Sequence, residues 1–218
     1  MRVGLIGNGH WGRVYVKTFE KLGEPLAWVT SRDTRLDADA IIIATPAETH
    51  YDIAKAALSH GCHVLIEKPM CLRVDHARAL LELAKRMGVV GFVGHTHLYS
   101  PAWREVKKAA AGGVVGVYSV SGGPCKTDPV FDWGAHDVAM RMDIGGEFAP
   151  HDMQITKERV KRCFTVVTKD GELTYDDPFT DPRPMDVLIR EFLAACGEGR
   201  PDTQGMELGV KVTEALCA

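Results

Sequence analysis

The feature that most restricts the fold of this chain is a strand that runs into a glycine turn and out into a helix within its first two dozen residues. Arg2-Val3-Gly4-Leu5-Ile6 is apolar enough for a buried strand. Gly7-Asn8-Gly9-His10-Trp11-Gly12 follows, and Arg13 to Leu22 has helical spacing. A G-x-G-x-x-G run carries weight only in that strand–turn–helix setting, where each glycine has a physical job. Gly7 permits the tight turn, Gly9 lets the backbone approach a pyrophosphate, and Gly12 lets the helix pack on the strand. The helix start then offers unpaired N–H groups and a positive dipole end to phosphate. Asn8, His10 and Trp11, between the glycines, join them as expected cofactor contacts. The competing reading is a glycine-rich turn that binds nothing.

Composition narrows the class. With 218 residues, 45% of them apolar and 25% charged, the chain can bury a core in one or two domains. A net charge of −3 gives no basic field, and no basic patch with interleaved aromatics is present, so nucleic acid is not an expected partner. No apolar run is long enough to cross a bilayer, and the first residues read as a strand rather than a signal peptide. Six scattered cysteines without a C-x-x-C pair read as reduced thiols, which places the protein in the cytoplasm.

The front of the chain alternates strand and helix. Pro25 to Thr30, Ala40 to Ala44, His63 to Ile66 and Val89 to Val93 read as strands, with helices at Thr49 to His60 and Val74 to Met87. Such repetition predicts an α/β fold, a Rossmann-type doubly wound parallel sheet. From Gly116 the pattern changes. Val117 to Ser121, Arg162 to Thr168 and Glu172 to Tyr175 predict a mostly antiparallel sheet, with Lys169-Asp170-Gly171 as a hairpin turn. Pro184 to Cys196 and Met206 to Leu216 predict closing helices. The expected division is a dinucleotide-binding domain over 1–94 and a smaller, shortened α+β domain for substrate and oligomerisation over 95–218.

Three clusters can carry chemistry. Lys68 follows the strand ending at Ile66, where open α/β sheets place ligands, and an ammonium there can donate to a substrate oxygen. The alternative is a solvated surface lysine. Asp132 and His136 are four apart, hence on one face of a helix over Asp132 to Met142, where a carboxylate raises the imidazole pKa toward neutrality. A capping aspartate with a satisfied histidine is the plainer alternative. His95 and His97 alternate as on a strand and point to one face. They are candidates for substrate contact with Tyr99 and Trp133. A metal site with His136 or His151 is the less favoured reading, since hydride chemistry needs none, so no metal is expected.

Several segments, in order, resemble the glucose-fructose oxidoreductase and inositol dehydrogenase (Gfo/Idh/MocA) family. They are the Gly7–Gly12 turn, Ala44-Thr45-Pro46 with His50, Glu67-Lys68-Pro69, and Asp132-Trp133-Gly134-Ala135-His136. The ending, a helix, Gly197-Glu198-Gly199-Arg200-Pro201 and a final helix, is also similar to the family's. The resemblance implies an NAD(P)-dependent oxidoreductase moving a hydride to or from a hydroxyl or keto group of a sugar or cyclic polyol. It implies a cis bond in the Glu67-Lys68-Pro69 turn and cofactor contacts from Thr45, Pro46, His50, Glu67 and Lys68. It makes His136 the proton acceptor, Lys68 its assistant and Asp132 their electrostatic partner, in a homodimer formed through an open sheet face.

This chain also departs from the family. Residues 31–39 leave room only for a turn where relatives insert a helix and a strand, strands between Met142 and Arg162 look reduced, and Leu98 stands where an arginine is usual. Cofactor choice is read from Thr30-Ser31-Arg32-Asp33. Ser31 occupies the place of the carboxylate that binds ribose hydroxyls in NAD enzymes, and Arg32 offers a bidentate phosphate partner, which favours NADP over NAD. Asp33 could turn inward and restore NAD. Two other classes stay open: a reductase of another unsaturated substrate, as in biliverdin reductase, and a non-catalytic nucleotide-binding protein.

Overall fold

The computed structural model describes residues 1–31, 33–123, 128–146, 153–158, 160–176 and 182–218, and the side chains of 160–162 are outside that description. The chain packs as two units: Met1–Gly94 with Leu188–Cys217, and His95–Val187. The 95–218 segment expected as one domain is therefore shared between them, because its last helices pack on the first sheet.

In the first unit, β1 (Val3–Ile6), β2 (Trp28–Thr30), β3 (Ala40–Ile43), β4 (His63–Ile66) and β5 (Gly91–Val93) form one parallel sheet in the order β2-β1-β3-β4-β5. β1 and β3 are buried at every position. Alternate side chains must then be apolar on both faces, which is why AIII reads as a continuous run. Ile6, Ile41, Ile43, Val64 and Ile66 join one core with residues of α2 (His50–Ser59), α3 (Val74–Met87) and α7 (Gln204–Cys217). The helix α1 (His10–Leu22) buries Gly12, Tyr15, Thr18 and Phe19 along one stripe. α6 (Pro184–Gly197) sets Phe192 against Phe92, ring centroids 5.5 Å apart.

Among its described residues, the 31–39 connection holds neither helix nor strand, as the spacing requires. Leu36 and Ala38 pack on the core in its place. The Arg35 guanidinium lies over the Trp28 ring at 5.4 Å and holds the Asp37 carboxyl down at about 2. Trp28 in turn covers Gly4, where any Cβ would collide with the indole.

His63 fixes the sheet floor by accepting the Val90 N–H at Nδ1, 3.0 Å away, a bond only a neutral ring nitrogen can accept. Burial lowers its pKa below the ordinary 6.5, against the pull of Asp39. Burial likewise lowers that of His50, outweighing two carbonyl partners that favour the charged ring. The unfolded chain therefore protonates first on acidification. The stability these rings give is complete above about pH 6.5 and is lost as pH falls through their folded values. The urea midpoint is expected to drop between pH 7.5 and 5, and to drop less in His63→Gln, whose amide accepts the same N–H without titrating. Equal drops would remove His63 from the account.

The second unit has a four-stranded sheet, order β7-β6-β8-β9: β6 (Val114–Gly122), β7 (Met153–Thr156), β8 (Val160–Thr168) and β9 (Gly171–Tyr175). β6, β8 and β9 are antiparallel, and β7 runs parallel to β6. α4 (Pro101–Ala109) and α5 (Ala135–Asp143) lie with it, and Trp103, Val117, Met140, Phe164, Val166 and Tyr175 form its core. Two expectations change here. His95-Thr96-His97 is not a strand: Leu98 N–H bonds the His95 carbonyl and Ser100 N–H that of His97, coiling Thr96–Tyr99 into a 3₁₀ turn. The helix expected from Asp132 starts with a π turn over Val130–Gly134, so Asp132 and His136 do not share one regular α-helix.

Candidate active site

β1 pairs with β2 on one side and β3 on the other, so the loops leaving β1 and β3 diverge, as ligand sites in open α/β sheets require. The three glycines of the first loop are glycine for different reasons. Gly7 has φ +110°, and a Cβ there would strike the Ala44 carbonyl. A Cβ on Gly12 would strike the Gly7 carbonyl, so the helix packs only because the side chain is absent. Gly9 has extended backbone (φ −78°, ψ −157°), and a Cβ there would meet nothing within 4 Å. The fold does not need glycine at that position, and the space over its backbone is open. Around it Asn8, His10 and Trp11 are exposed, and α1 begins without a side-chain cap, leaving its first N–H groups for an anion. Arg13 reaches back to the Asn8 carbonyl at 3.3 Å. Ser31 is exposed after β2, and Arg32 lies outside the described residues.

The loop after β3 meets the Lys68 turn through His50. Its Nδ1 is 2.9 Å from the Pro69 carbonyl and its Nε2 is 2.9 Å from that of Thr45. The ring is 1% exposed, so the expected cofactor contact becomes a brace between two loops, each ring nitrogen facing a main-chain carbonyl and one of them donating when the ring is neutral. The Thr49 hydroxyl lies 2.8 Å from that of Thr45 and 2.7 Å from the Pro46 carbonyl, fixing the same loop. The Lys68–Pro69 bond is cis. Glu67 is buried too: Tyr15 donates to its Oε1 at 2.8 Å and the Lys68 N–H to its Oε2 at 3.1 Å. Gly94 leaves it room, since a Cβ there would sit 3.1 Å from Oε1. Glu67 thus shapes the turn, and Lys68 emerges from it only 9% exposed. A solvated surface lysine does not describe it.

In the second unit the 3₁₀ turn, α5 and β9 gather aromatic and histidine side chains. His97 meets His136 edge to face with ring centroids 4.7 Å apart, and His95 meets it at 6.3 Å. His97 Nδ1 is 3.0 Å from the Tyr175 hydroxyl. His95, His136 and Tyr175 are buried and His97 is half-buried. Asp132 is half-buried on the π turn, its N–H bonded to the Asp128 carbonyl. Trp133, expected at substrate, donates its indole N–H to the Gly123 carbonyl at 3.2 Å and packs on that glycine. Tyr99 carries the Arg104 guanidinium over its ring at 5.7 Å. Among the described residues no group of three or more His, Cys, Asp or Glu is disposed to hold a metal, and His151 lies outside them. Burial pushes the Cys71 and Cys196 thiols up to about 12, so neither is a thiolate at neutral pH.

Tyr15 and Tyr175 escaped the sequence reading. Tyr15 sits on the apolar stripe of α1, which marks it as core, and its partner is 52 residues away. No local signal links the two.

The Gfo/Idh/MocA model, described as an oxidoreductase family with an NAD-binding Rossmann fold, matches residues 27–95. UDP-N-acetylglucosamine 3-dehydrogenase of Acidithiobacillus ferrooxidans is 33% identical over 132 residues, 51% of this chain and 42% of that protein. The NAD(+)-dependent scyllo-inositol 2-dehydrogenase of Bacillus subtilis is 29% identical over 146 residues, 66% of this chain and 41% of that one. The chain thus spans about two fifths of the length of these curated relatives. In fold it is similar to GenD2 of gentamicin A biosynthesis, solved with NAD: TM-score 0.85 at 22% identity, covering 100% of this chain and 92% of the other. The Lys68 turn and the glycine loop are thus set on a sheet whose residues 27–95 match the Gfo/Idh/MocA oxidoreductase model, and the sequence is similar to dehydrogenases over part of their length.

Proposed function

We propose that the protein is an NAD(P)-dependent oxidoreductase acting on a hydroxyl or keto group of a sugar or cyclic polyol. The observation that carries this is Gly9, whose missing side chain leaves open space over the uncapped start of α1. Relatives named for UDP-N-acetylglucosamine and scyllo-inositol support the substrate class. We assign cofactor binding to 1–94 with 188–217, and substrate binding to the other unit.

A bound oxidised nicotinamide supplies the hydride acceptor. His136 takes the hydroxyl proton, leaving the oxygen to form a carbonyl. Lys68 donates to that oxygen as charge develops on it, and its main chain is fixed by the hydrogen bond that its N–H donates to Glu67. Asp132 favours the charged imidazole. His97, Tyr99 and Trp133 are the substrate-contact candidates that keep accessible surface.

Ser31 and Arg32 support a preference for NADP. NADPH is expected to bind more tightly than NADH, and Arg32→Ala to narrow the gap by about 1–3 kcal/mol, the worth of a charge-assisted hydrogen bond. Equal affinities in the parent protein, read by fluorescence titration, would reject the preference.

Val115, Tyr118 and Val120 on β6 are exposed, Tyr118 by 55%. An apolar sheet face of this kind supports a homodimer. Sedimentation velocity is expected to show a dimer that Tyr118→Glu dissociates; a monomeric parent would refute it. No helix among the described residues is long and apolar enough to cross a membrane. None of the five described cysteines is in a disulfide, which supports a cytoplasmic setting that cell fractionation checks.

A further inference from the structure

The carboxyl group of Glu67 is framed by three segments of the first unit. Tyr15 on α1 donates to its Oε1 at 2.8 Å, and the Lys68 N–H donates to its Oε2 at 3.1 Å. Gly94 lies against it after β5, where a Cβ would stand 3.1–3.3 Å from its three terminal atoms. The last torsion of a glutamate is broad and roughly two-fold, so the side chain alone does not fix the plane of its carboxyl group. A donor at each oxygen does, and the close approach of Gly94 closes a third side.

Tyr15 is suited to holding that plane. It is wholly buried and lies in the stripe of α1 one turn after Gly12, whose contact with the Gly7 carbonyl sets how near the helix comes to the sheet. The phenol therefore reaches Oε1 from a fixed point. An apolar stripe asks for a ring at this position and makes no demand for a hydroxyl. We propose that Tyr15 is a positioning residue for Lys68. Its hydroxyl holds the Glu67 carboxyl group in the orientation that accepts the Lys68 N–H, and so fixes the main chain from which the lysine side chain departs. The helix of the glycine loop and the lysine turn are thereby held in register within one unit. The bearing on turnover rests on the oxidoreductase reading, in which Lys68 donates to the reacting oxygen.

Tyr15→Phe keeps the ring and removes the donor. Amide hydrogen exchange, read by NMR on the full chain without cofactor, should quicken about tenfold at Lys68, the scale of one lost hydrogen bond. Ile42 and Leu65, paired in the sheet, should keep their parent rates. Equal quickening at all three marks a general loss of stability and overturns the proposal, as does an unchanged Lys68. Gly94→Ala presses on the same carboxyl group with Tyr15 in place and should also quicken Lys68 alone. If Tyr15→Phe does not fold, Gly94→Ala decides by the same criterion.

Turnover separates positioning from simple support of the fold. Tyr15→Phe should lower kcat about 10–100-fold in the parent, the cost of a misplaced group. It should cost nothing further in Lys68→Met, where no ammonium is left to misplace. An equal loss in both backgrounds overturns the proposal. Local quickening at Lys68 in a protein that turns over no sugar or polyol would leave the link from Tyr15 to Lys68 standing and reject the oxidoreductase reading instead.

Discussion

Gly9→Val is expected to fold like the parent and to bind NADH and NADPH about 10–100-fold more weakly. The fold should persist because position 9 has extended φ and ψ, which a β-branched residue adopts readily, and its Cβ would enter empty space. Binding should suffer because that space belongs to the pyrophosphate. Crowding a filled site with an isopropyl group costs about 1–3 kcal/mol, which brackets the stated range in affinity. Gly7→Val and Gly12→Val are the contrast. Both would press a side chain into a main-chain carbonyl, and both should lower the thermal midpoint as well as binding. Unchanged affinity in a folded Gly9→Val protein would mean that the turn holds no phosphate.

Lys68→Met and His136→Ala should each lower turnover by about 10²–10⁴-fold, the usual worth of a positioned acid or base. If both serve one proton-transfer step, the double variant should lose much less than the product of the two effects. NADPH affinity should change little in His136→Ala and more in Lys68→Met, whose turn lies beside the proposed nucleotide loops. Asp132→Asn should move the pH–rate profile toward acid, since removing a carboxylate lowers the imidazole pKa. Following NADPH absorbance with aldoses, inositols and their keto forms measures all of these. Full activity in His136→Ala would discard the mechanism. Cofactor binding with no turnover of any carbonyl or polyol would point to a non-catalytic nucleotide-binding protein.

The first unit was largely legible because its signals are local. His63–Ile66 and Val74–Met87 were bounded to the residue by apolar runs and periodicity, and the glycine loop by its spacing. Long-range packing was not legible. Nothing near His50 in sequence says that it will brace Thr45 to Pro69, and nothing near Glu67 says that Tyr15 will cover it. A resemblance marks such residues as belonging to a site without separating those that touch ligand from those that hold the site in shape. In the second unit, His95-Thr96-His97 alternates like a strand, but Pro101 opens a helix just beyond it, and the chain coils early to enter that helix. α4 was missed because it follows directly on that turn, and β7 was not read as a strand either.

The short connection after β2 has a consequence for how such sheets are classified. Removing one βα unit from the six-strand order 3-2-1-4-5-6 leaves 2-1-4-5-6. Renumbered along the chain, that is 2-1-3-4-5, the order of flavodoxin-like proteins and the order found here. Strand order alone would thus group this chain with binders of a mononucleotide, although the scyllo-inositol 2-dehydrogenase it resembles is named for NAD(+). The difference between the two orders falls at the sheet margin beyond β2, while β1 stays paired with β2 and β3. A label read from strand order therefore reports the sheet's margin, whereas the ligand crevice of such sheets lies at the switch point beside β1.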